Sequence, residues 1–112
     1  MGKKGAKLRQ ERADVCQQVV QALLPLGDVG SRKMFGGYGI FESGAMFALV
    51  DSQGSVFLKV DDSNRSRFDQ AEAKQHGKMP YFEASPEIVA DAQSLRDWAK
   101  VSIEIAHAGK KK

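Results

Sequence analysis

Basic and aromatic side chains are interleaved with glycines at residues 31–41, which read Ser-Arg-Lys-Met-Phe-Gly-Gly-Tyr-Gly-Ile-Phe. Such a mixture on a sheet can stack bases and hold phosphates, or provide a contact surface for a protein partner. The candidate contacts in this stretch are Arg32, Lys33, Phe35 and Tyr38. The alternative interpretation is structural: Met34, Tyr38 and Ile40 belong to the core, while the glycines allow a sharply coiled strand. The Gly-x-x-x-x-Gly-Lys spacing of a phosphate-binding loop is absent.

A fifth candidate contact, Lys59, interrupts an otherwise apolar run at residues 56–60. The period of a strand places Lys59 on the same face as Phe57. One interpretation is a solvated lysine whose stem lies on the sheet. The other is a small anion pocket, which Lys59 would form with Arg32 or Lys33 if either lies on a neighbouring strand.

The sequence predicts no catalytic, cofactor-binding or metal-binding residues, and hence a protein that is not an enzyme. His76 and His107 have no partners at the spacing of metal ligands, and no serine stands in a Gly-x-Ser-x-Gly context. The carboxylates form no recognisable acid–base pair. Cys16 is the single cysteine, so an intrachain disulfide is excluded, and a buried thiol in a reducing cytoplasm is expected.

Charge is concentrated at the two ends of the chain. Seventeen basic and 14 acidic residues give a formal net charge of +3, but residues 1–12 and 110–112 are strongly basic and the remainder is mildly acidic. The ends could attract a polyanion weakly, or serve only as solubilising tails. No apolar run approaches the roughly 18 residues of a membrane span, and the basic start lacks the apolar stretch of a signal peptide. These features predict a cytoplasmic protein without a membrane partner.

The first half of the chain changes from a helical to a strand period. Apolar residues from Leu8 onward recur on one helical face, and Pro25 predicts the end of that helix. Short turns at residues 42–44 and 51–54 separate apolar runs, which predicts antiparallel strands because parallel pairing needs a long crossover.

The second half predicts helices around one short strand. Asp61 or Asp62 would cap a helix through Ala73, with Phe68 and Ala71 facing inward, and proline makes residues 79–83 an edge strand. Ser85-Pro86 is a helix start, and a second cap at Asp91 would divide the final segment into two helices.

These elements predict an α+β fold, an antiparallel sheet with helices packed on one face, in the order α-β-β-β-α-β-α. The first β segment of that order is long and kinked. The length of 112 residues suits one domain, at residues 13–108, between a flexible basic end at residues 1–12 and a short basic end at residues 109–112.

Three motifs together resemble a known family. They are residues 31–41, then Gly44-x-Met46-Phe47-Ala48-Leu49-Val50, then Phe57-Leu58-Lys59-Val60-Asp61. With Pro86-Glu87 and Leu95-x-x-Trp98-Ala99, the chain is similar to the N-terminal domain of the TfoX (Sxy) family over about residues 15–108. The resemblance implies a bacterial cytoplasmic protein with a two-layer fold like that of the secretion chaperones and with no known enzymatic activity.

The resemblance also implies a role in the regulation of natural competence. Members of the family assist the cyclic-AMP receptor protein at promoters of DNA-uptake genes, and those regulators carry a second, C-terminal helical domain that is not present in these 112 residues.

Three functional hypotheses follow. The first is a regulatory binding module that contacts a transcription regulator through the exposed sheet face or through aromatics near Phe35 and residues 81–82. The resemblance makes a regulator of the cyclic-AMP receptor protein type the candidate partner. The second is a nucleic-acid-binding protein that uses Arg32, Lys33 and the basic ends. The third is a small-molecule sensor built on the glycine-rich strand. Direct or indirect DNA contact and homodimerisation through a sheet edge stay open.

Overall fold

The structure is a computed structural model that describes the backbone of residues 2–34 and 36–110, and the side chains of residues 13–34 and 36–109. Within these residues the chain forms four α-helices, five strands and a 3₁₀ turn at Leu24–Leu26. In chain order they are α1 Gly2–Leu23, β1 Val29–Met34, β2 Gly37–Glu42, β3 Ala45–Val50, β4 Val56–Lys59, α2 Arg65–Gln70, β5 Tyr81–Glu83, α3 Pro86–Ala90 and α4 Ala92–Lys110. The basic side chains of residues 1–12 and 110–112 lie outside the described part, so the expected flexible ends stay a prediction.

The described strands form one antiparallel sheet in the order β1-β2-β3-β4-β5. The predicted α+β class is therefore confirmed, with one strand more than expected. Residues 31–41 do not form one kinked strand; the segment belongs to the hairpin of β1 and β2, in which Met34 pairs with Gly37. Gly36 has φ 73°, a left-handed conformation that glycine adopts without steric cost, and this turn reverses the chain.

Helices α1 and α4 pack on one face of the sheet, which we call the inner face. The main core lies between them and includes Leu23, Ile40, Phe47, Leu58 and Leu95, all of them fully buried. These residues come from α1, β2, β3, β4 and α4, so the core joins helices at both ends of the chain to the sheet. Among the described helices, none is long and apolar enough to cross a membrane.

Most of the predicted turns and caps are confirmed. Ser43 and Gly44 have φ 47° and 84°, which is typical of a two-residue hairpin turn. The Ser85 side chain accepts a hydrogen bond from the amide of Ile88, and α3 and α4 are consecutive helices as the second cap suggested. Helix α2 is shorter than predicted: it begins at Arg65 after Asn64, so the prediction of Asp61 or Asp62 as its cap is wrong. Phe68 is buried, but Ala71 lies beyond the helix and is exposed.

Candidate docking face

The face of the sheet opposite the inner face, which we call the outer face, has its own set of side chains. Strand pairing aligns Arg32, Gly39, Leu49 and Phe57 across four strands, because residues directly opposite each other point to the same side. The side chains that the pairing assigns to the outer face are those of Arg32, Met34, Phe41, Met46, Leu49, Phe57, Lys59, Tyr81 and Glu83. Phe57 and Lys59 share this face, as the strand period predicted.

Three flexible or aromatic side chains converge above Gly39 in the middle of the outer face. A Cβ atom at this position would overlap the sulfur of Met34 and would lie 3.1 Å from Phe41 Cε1 and 3.4 Å from the sulfur of Met46. The missing side chain of Gly39 therefore lets these residues lie close to the backbone of β2. Methionine is unbranched and polarizable, so this part of the surface can adapt its shape to a partner.

Leu49, Phe57 and Tyr81 form a second, smaller apolar cluster beside the methionines. The Tyr81 hydroxyl donates a hydrogen bond to the Met46 carbonyl at 3.3 Å, and burial raises the pKa of the Tyr81 phenol. His76 lies edge-on to Phe57 with 4.8 Å between ring centroids. This cluster gives the outer face a rigid apolar floor although the core helices lie on the other side of the sheet.

A groove of about 310 Å³ opens along this floor between the β1–β2 hairpin and the segment before β5. Met34, Leu49, His76 and Met79 are among its lining residues, and Met79 is 38% exposed. Exposed methionine beside a buried apolar floor is a favourable surface for an apolar side chain of another molecule.

The predicted contact residues of the β1–β2 hairpin do not share one face. Arg32 is exposed on the outer face, with its guanidinium carbon 5.3 Å from the ring centroid of Phe41, within the range of a cation–π contact. Lys33 is exposed and pairs with Tyr38, which is half-buried, packs against the main core and also lines the groove. The structural interpretation of Tyr38 and Ile40 agrees with this arrangement, whereas Met34 lies on the outer face. Phe35 lies outside the described residues.

Lys59 is distant from the other predicted cations. It lies on β4, and its ammonium nitrogen is 6.0 Å from the ring centroid of Tyr81. Strands β2 and β3 separate it from Arg32 on β1, and three strand spacings amount to about 14 Å. The structure therefore does not bring Lys59 together with Arg32 or Lys33 in the anion pocket that the sequence suggested. Instead, Arg32 and Lys59 flank the apolar surface on two sides.

The carboxylate of Glu42 connects the end of β2 to the last helix. It accepts hydrogen bonds from the Ser43 hydroxyl at 2.8 Å and the Asp28 amide at 3.0 Å, and it lies 2.5 Å from the His107 ring. The Ser43 hydroxyl first, then His107 and the Asp28 amide, lower the pKa of Glu42 because each stabilises the ionised form. This contact fixes α4 against the hairpin but faces away from the groove, so we interpret it as structural.

Phe41, Met46 and Leu49 are outer-face residues that the sequence did not identify as candidates. Their alternation was visible, but assigning them to a face required knowing that the chain reverses at Gly36. With a single strand through residues 31–41, Phe41 could not be assigned to the same surface as Met46. Recognising the turn at Gly36 would have assigned Phe41, Met46 and Leu49 to one face.

Within the described side chains, no group of three or more histidine, cysteine, aspartate or glutamate residues is arranged to hold a metal ion. Cys16 lies buried on the apolar face of α1, where desolvation raises the pKa of its thiol. The chemistry that the outer face offers is apolar contact, surrounded by the cations Arg32 and Lys59 and by the carboxylate of Glu83 on β5.

A search of curated proteins found no match to the chain. The family model of the TfoX N-terminal domain matches residues 21–106, which extend from the end of α1 through most of α4 and include the whole sheet. The chain therefore belongs to the TfoX N-terminal domain family, a family of regulatory domains associated with competence regulation and not a known class of enzymes.

Proposed function

We propose that this protein is a regulatory binding module that acts by contact with a transcription regulator, and that the outer face is its contact surface. The observation that carries the proposal is the apolar surface formed by Met34, Phe41 and Met46 over Gly39, beside the floor of Leu49. Met34, Phe41 and Met46 are half-buried without a covering helix, and Met79 beside them is exposed. Adjoining apolar side chains that keep part of their surface in solvent are typical of a binding site.

The arrangement of charge supports a protein partner. Arg32 and Lys59 stand at opposite margins of the apolar surface, each over an aromatic ring, as cations at the rim of a protein interface commonly do. Such charges orient an approaching partner more than they add affinity. The apolar centre supplies the affinity, because a few buried anchor side chains dominate the free energy of most interfaces.

The same geometry makes nucleic acid the weaker alternative. A phosphate backbone is held by several cations along one path, and Arg32, Lys33 and Lys59 are divided between two faces and two distant strands. Among the outer-face aromatics, Phe57 and Tyr81 are buried in the apolar cluster and do not offer exposed rings for base stacking.

The test is binding of the full chain to a purified transcription regulator of the cyclic-AMP receptor protein type, measured by calorimetry with and without promoter DNA. Met79→Ser and Leu24→Ser form a matched pair, since both residues are exposed and apolar, at 38% and 45%, but only Met79 lines the groove. We expect Met79→Ser to weaken binding at least several-fold and Leu24→Ser to leave it unchanged. Equal effects of the two variants, or no binding at tens of micromolar protein, would overturn the proposal.

The nucleic-acid alternative is measured in the same samples. Fluorescence anisotropy of labelled promoter DNA with the full chain alone, at low and physiological salt, separates weak binding by the basic ends from a defined site. Binding that persists at physiological salt and is abolished by Arg32→Ala would favour the alternative over the proposed module.

A further inference from the structure

We propose, building on the function proposed above, that the partner adds an extended acidic segment as a further strand along the outer edge of β1. In this mode the two backbones form the hydrogen bonds, and side chains of the segment select the site. The two edges of the sheet differ: residues 74–76 cover the edge at β5, whereas the outer side of β1 has no paired strand in the described chain.

The edge at β5 is covered by the chain itself. The Glu83 amide donates to the Lys74 carbonyl and the His76 amide donates to the Tyr81 carbonyl, both at 2.8 Å, and Gln75 forms a β-bridge with Phe82. These contacts protect that edge from pairing with another chain. At the opposite edge, β1 has six residues, of which Gly30 to Lys33 are exposed in succession, and no strand of the described chain pairs with its outer side.

The register identifies the backbone groups of β1 that face outward. The Ser43 amide donates to the Asp28 carbonyl at 2.9 Å, so these two residues form a hydrogen-bonded pair. Because such pairs alternate along an antiparallel ladder, Gly30 and Arg32 bond to β2, while the N–H and C=O groups of Ser31 and Lys33 point away from the sheet. An added strand could therefore form backbone hydrogen bonds with two N–H donors and two C=O acceptors, which have the two-residue spacing of an antiparallel ladder.

The side chains of this edge determine the chemistry of the partner. Arg32 extends on the outer face and Lys33 on the inner face, so two adjacent carboxylates of an added strand would each meet a cation. Beside them lies an open hollow of about 290 Å³, which Asp28, Ser31 and Arg32 line together with the ring of Phe41. It has room for one side chain of the added strand, which would lie against Phe41. The space above Gly30 is open, with no atom within 4 Å of the position that a Cβ would take.

A second copy of this chain fits the edge poorly. Strand β1 contains Arg32 and Lys33, and the one carboxylate beside it is that of Asp28, which precedes the strand and lines the same hollow as Arg32. Pairing two β1 strands would therefore bring four cations onto one short ladder with only the two Asp28 carboxylates at its ends. The charge therefore favours an acidic partner over the homodimer that an open edge otherwise permits.

The test is an NMR titration of the ¹⁵N-labelled full chain with a capped six-residue peptide that has two central glutamates, flanked on each side by threonine and then valine. A peptide with two central lysines is the control. We expect the acidic peptide to shift the amide signals of Ser31 and Lys33 and to slow their hydrogen exchange at least several-fold, and the lysine peptide to do neither. Absence of these changes at millimolar peptide overturns the inference.

Two variants at one position separate the backbone contribution from the charge. Lys33→Pro removes the outward N–H, which an edge strand tolerates, whereas Lys33→Ala removes the charge and keeps the donor. We expect Lys33→Ala to weaken peptide binding a few-fold and Lys33→Pro to abolish it. The NMR spectra of both variants should keep the signal dispersion of a folded protein. Equal binding by the two variants overturns the inference, as do shifts of these amides on raising protein concentration without peptide, which would identify a second copy as the occupant.

Binding of the same variants to the regulator separates a failure of the edge site from a failure of the proposed function. If Lys33→Pro binds the regulator as well as the unmodified chain while Met79→Ser does not, the edge inference fails and the docking face stands. If no regulator binds but the peptide titration succeeds, the edge binds an acidic strand and the proposed function fails.

Discussion

Gly37 and Gly39 lie two residues apart on the same strand, yet alanine at the two positions should have very different effects. A Cβ at Gly37 would overlap the Val50 carbonyl oxygen and approach the carbonyl carbons of Val50 and Asp51 to 3.0 and 3.1 Å. A Cβ at Gly39 would meet chiefly the sulfur of Met34, the far part of a flexible side chain. Strand β3 must move to accommodate the first substitution, whereas a methionine rotation accommodates the second.

The magnitudes follow from these contacts. Replacing glycine by alanine where the fold permits it stabilises a protein by about 0.4–1 kcal/mol, because the unfolded chain loses freedom. Overpacking that shifts the backbone costs about 1–3 kcal/mol. We therefore expect Gly37→Ala to lower the free energy of unfolding by about 1–3 kcal/mol, and Gly39→Ala to stay within about 1 kcal/mol of the unmodified chain.

Urea and thermal unfolding, followed by circular dichroism and by fluorescence of Trp98, measure both variants. A difference of 2 kcal/mol between them corresponds to roughly 8 °C in Tm for a domain near this size. Equal destabilisation, or a greater loss in Gly39→Ala, would refute the reasoning from close approach. Gly39→Ala should also weaken regulator binding while remaining folded, since it displaces the methionine that covers this position.

Three further predictions test other contacts. Hydrogen bonds lower the folded-state pKa of Glu42, so its carboxylate stabilises the fold above the ordinary pKa of about 4.3, and this contribution is lost as the pH falls through the lowered value. In urea unfolding at a series of pH values, Glu42→Gln should therefore be less stable than the unmodified chain at neutral pH and converge with it in acid, while exposed Glu104→Gln shows no such convergence. Phe68 is fully buried, 4.8 Å from Trp98 between ring centroids, and Phe68→Ala should cost about 3–5 kcal/mol in the same assay; a loss below 1 kcal/mol would contradict that packing. Ser85→Ala should cost about 1 kcal/mol by removing the cap of α3, and Ser85→Asp should retain most of the stability.

The sequence alone determined the features that depend on neighbouring residues. The helical period identified the buried face of α1, including Cys16, and the strand period assigned Phe57 and Lys59 to one face. The hairpin turn at Ser43 and the cap at Ser85 were predictable because each depends on a few local dihedral angles and hydrogen bonds. The family motifs were also recognisable from the sequence, because each of them is a short local segment.

Only the tertiary structure decided how those segments meet. Residues 31–41 are compatible with either a kinked strand or a hairpin, because a glycine run permits both, and the free energy of packing the whole sheet selects the turn at Gly36. That choice moved Met34 to the outer face beside Phe41. It also left the outer side of β1 without a paired strand among the residues that the structure describes, and it separated Arg32 from Lys59. The contact between Glu42 and His107 joins residues 65 positions apart, and no local pattern encodes a pairing over that separation.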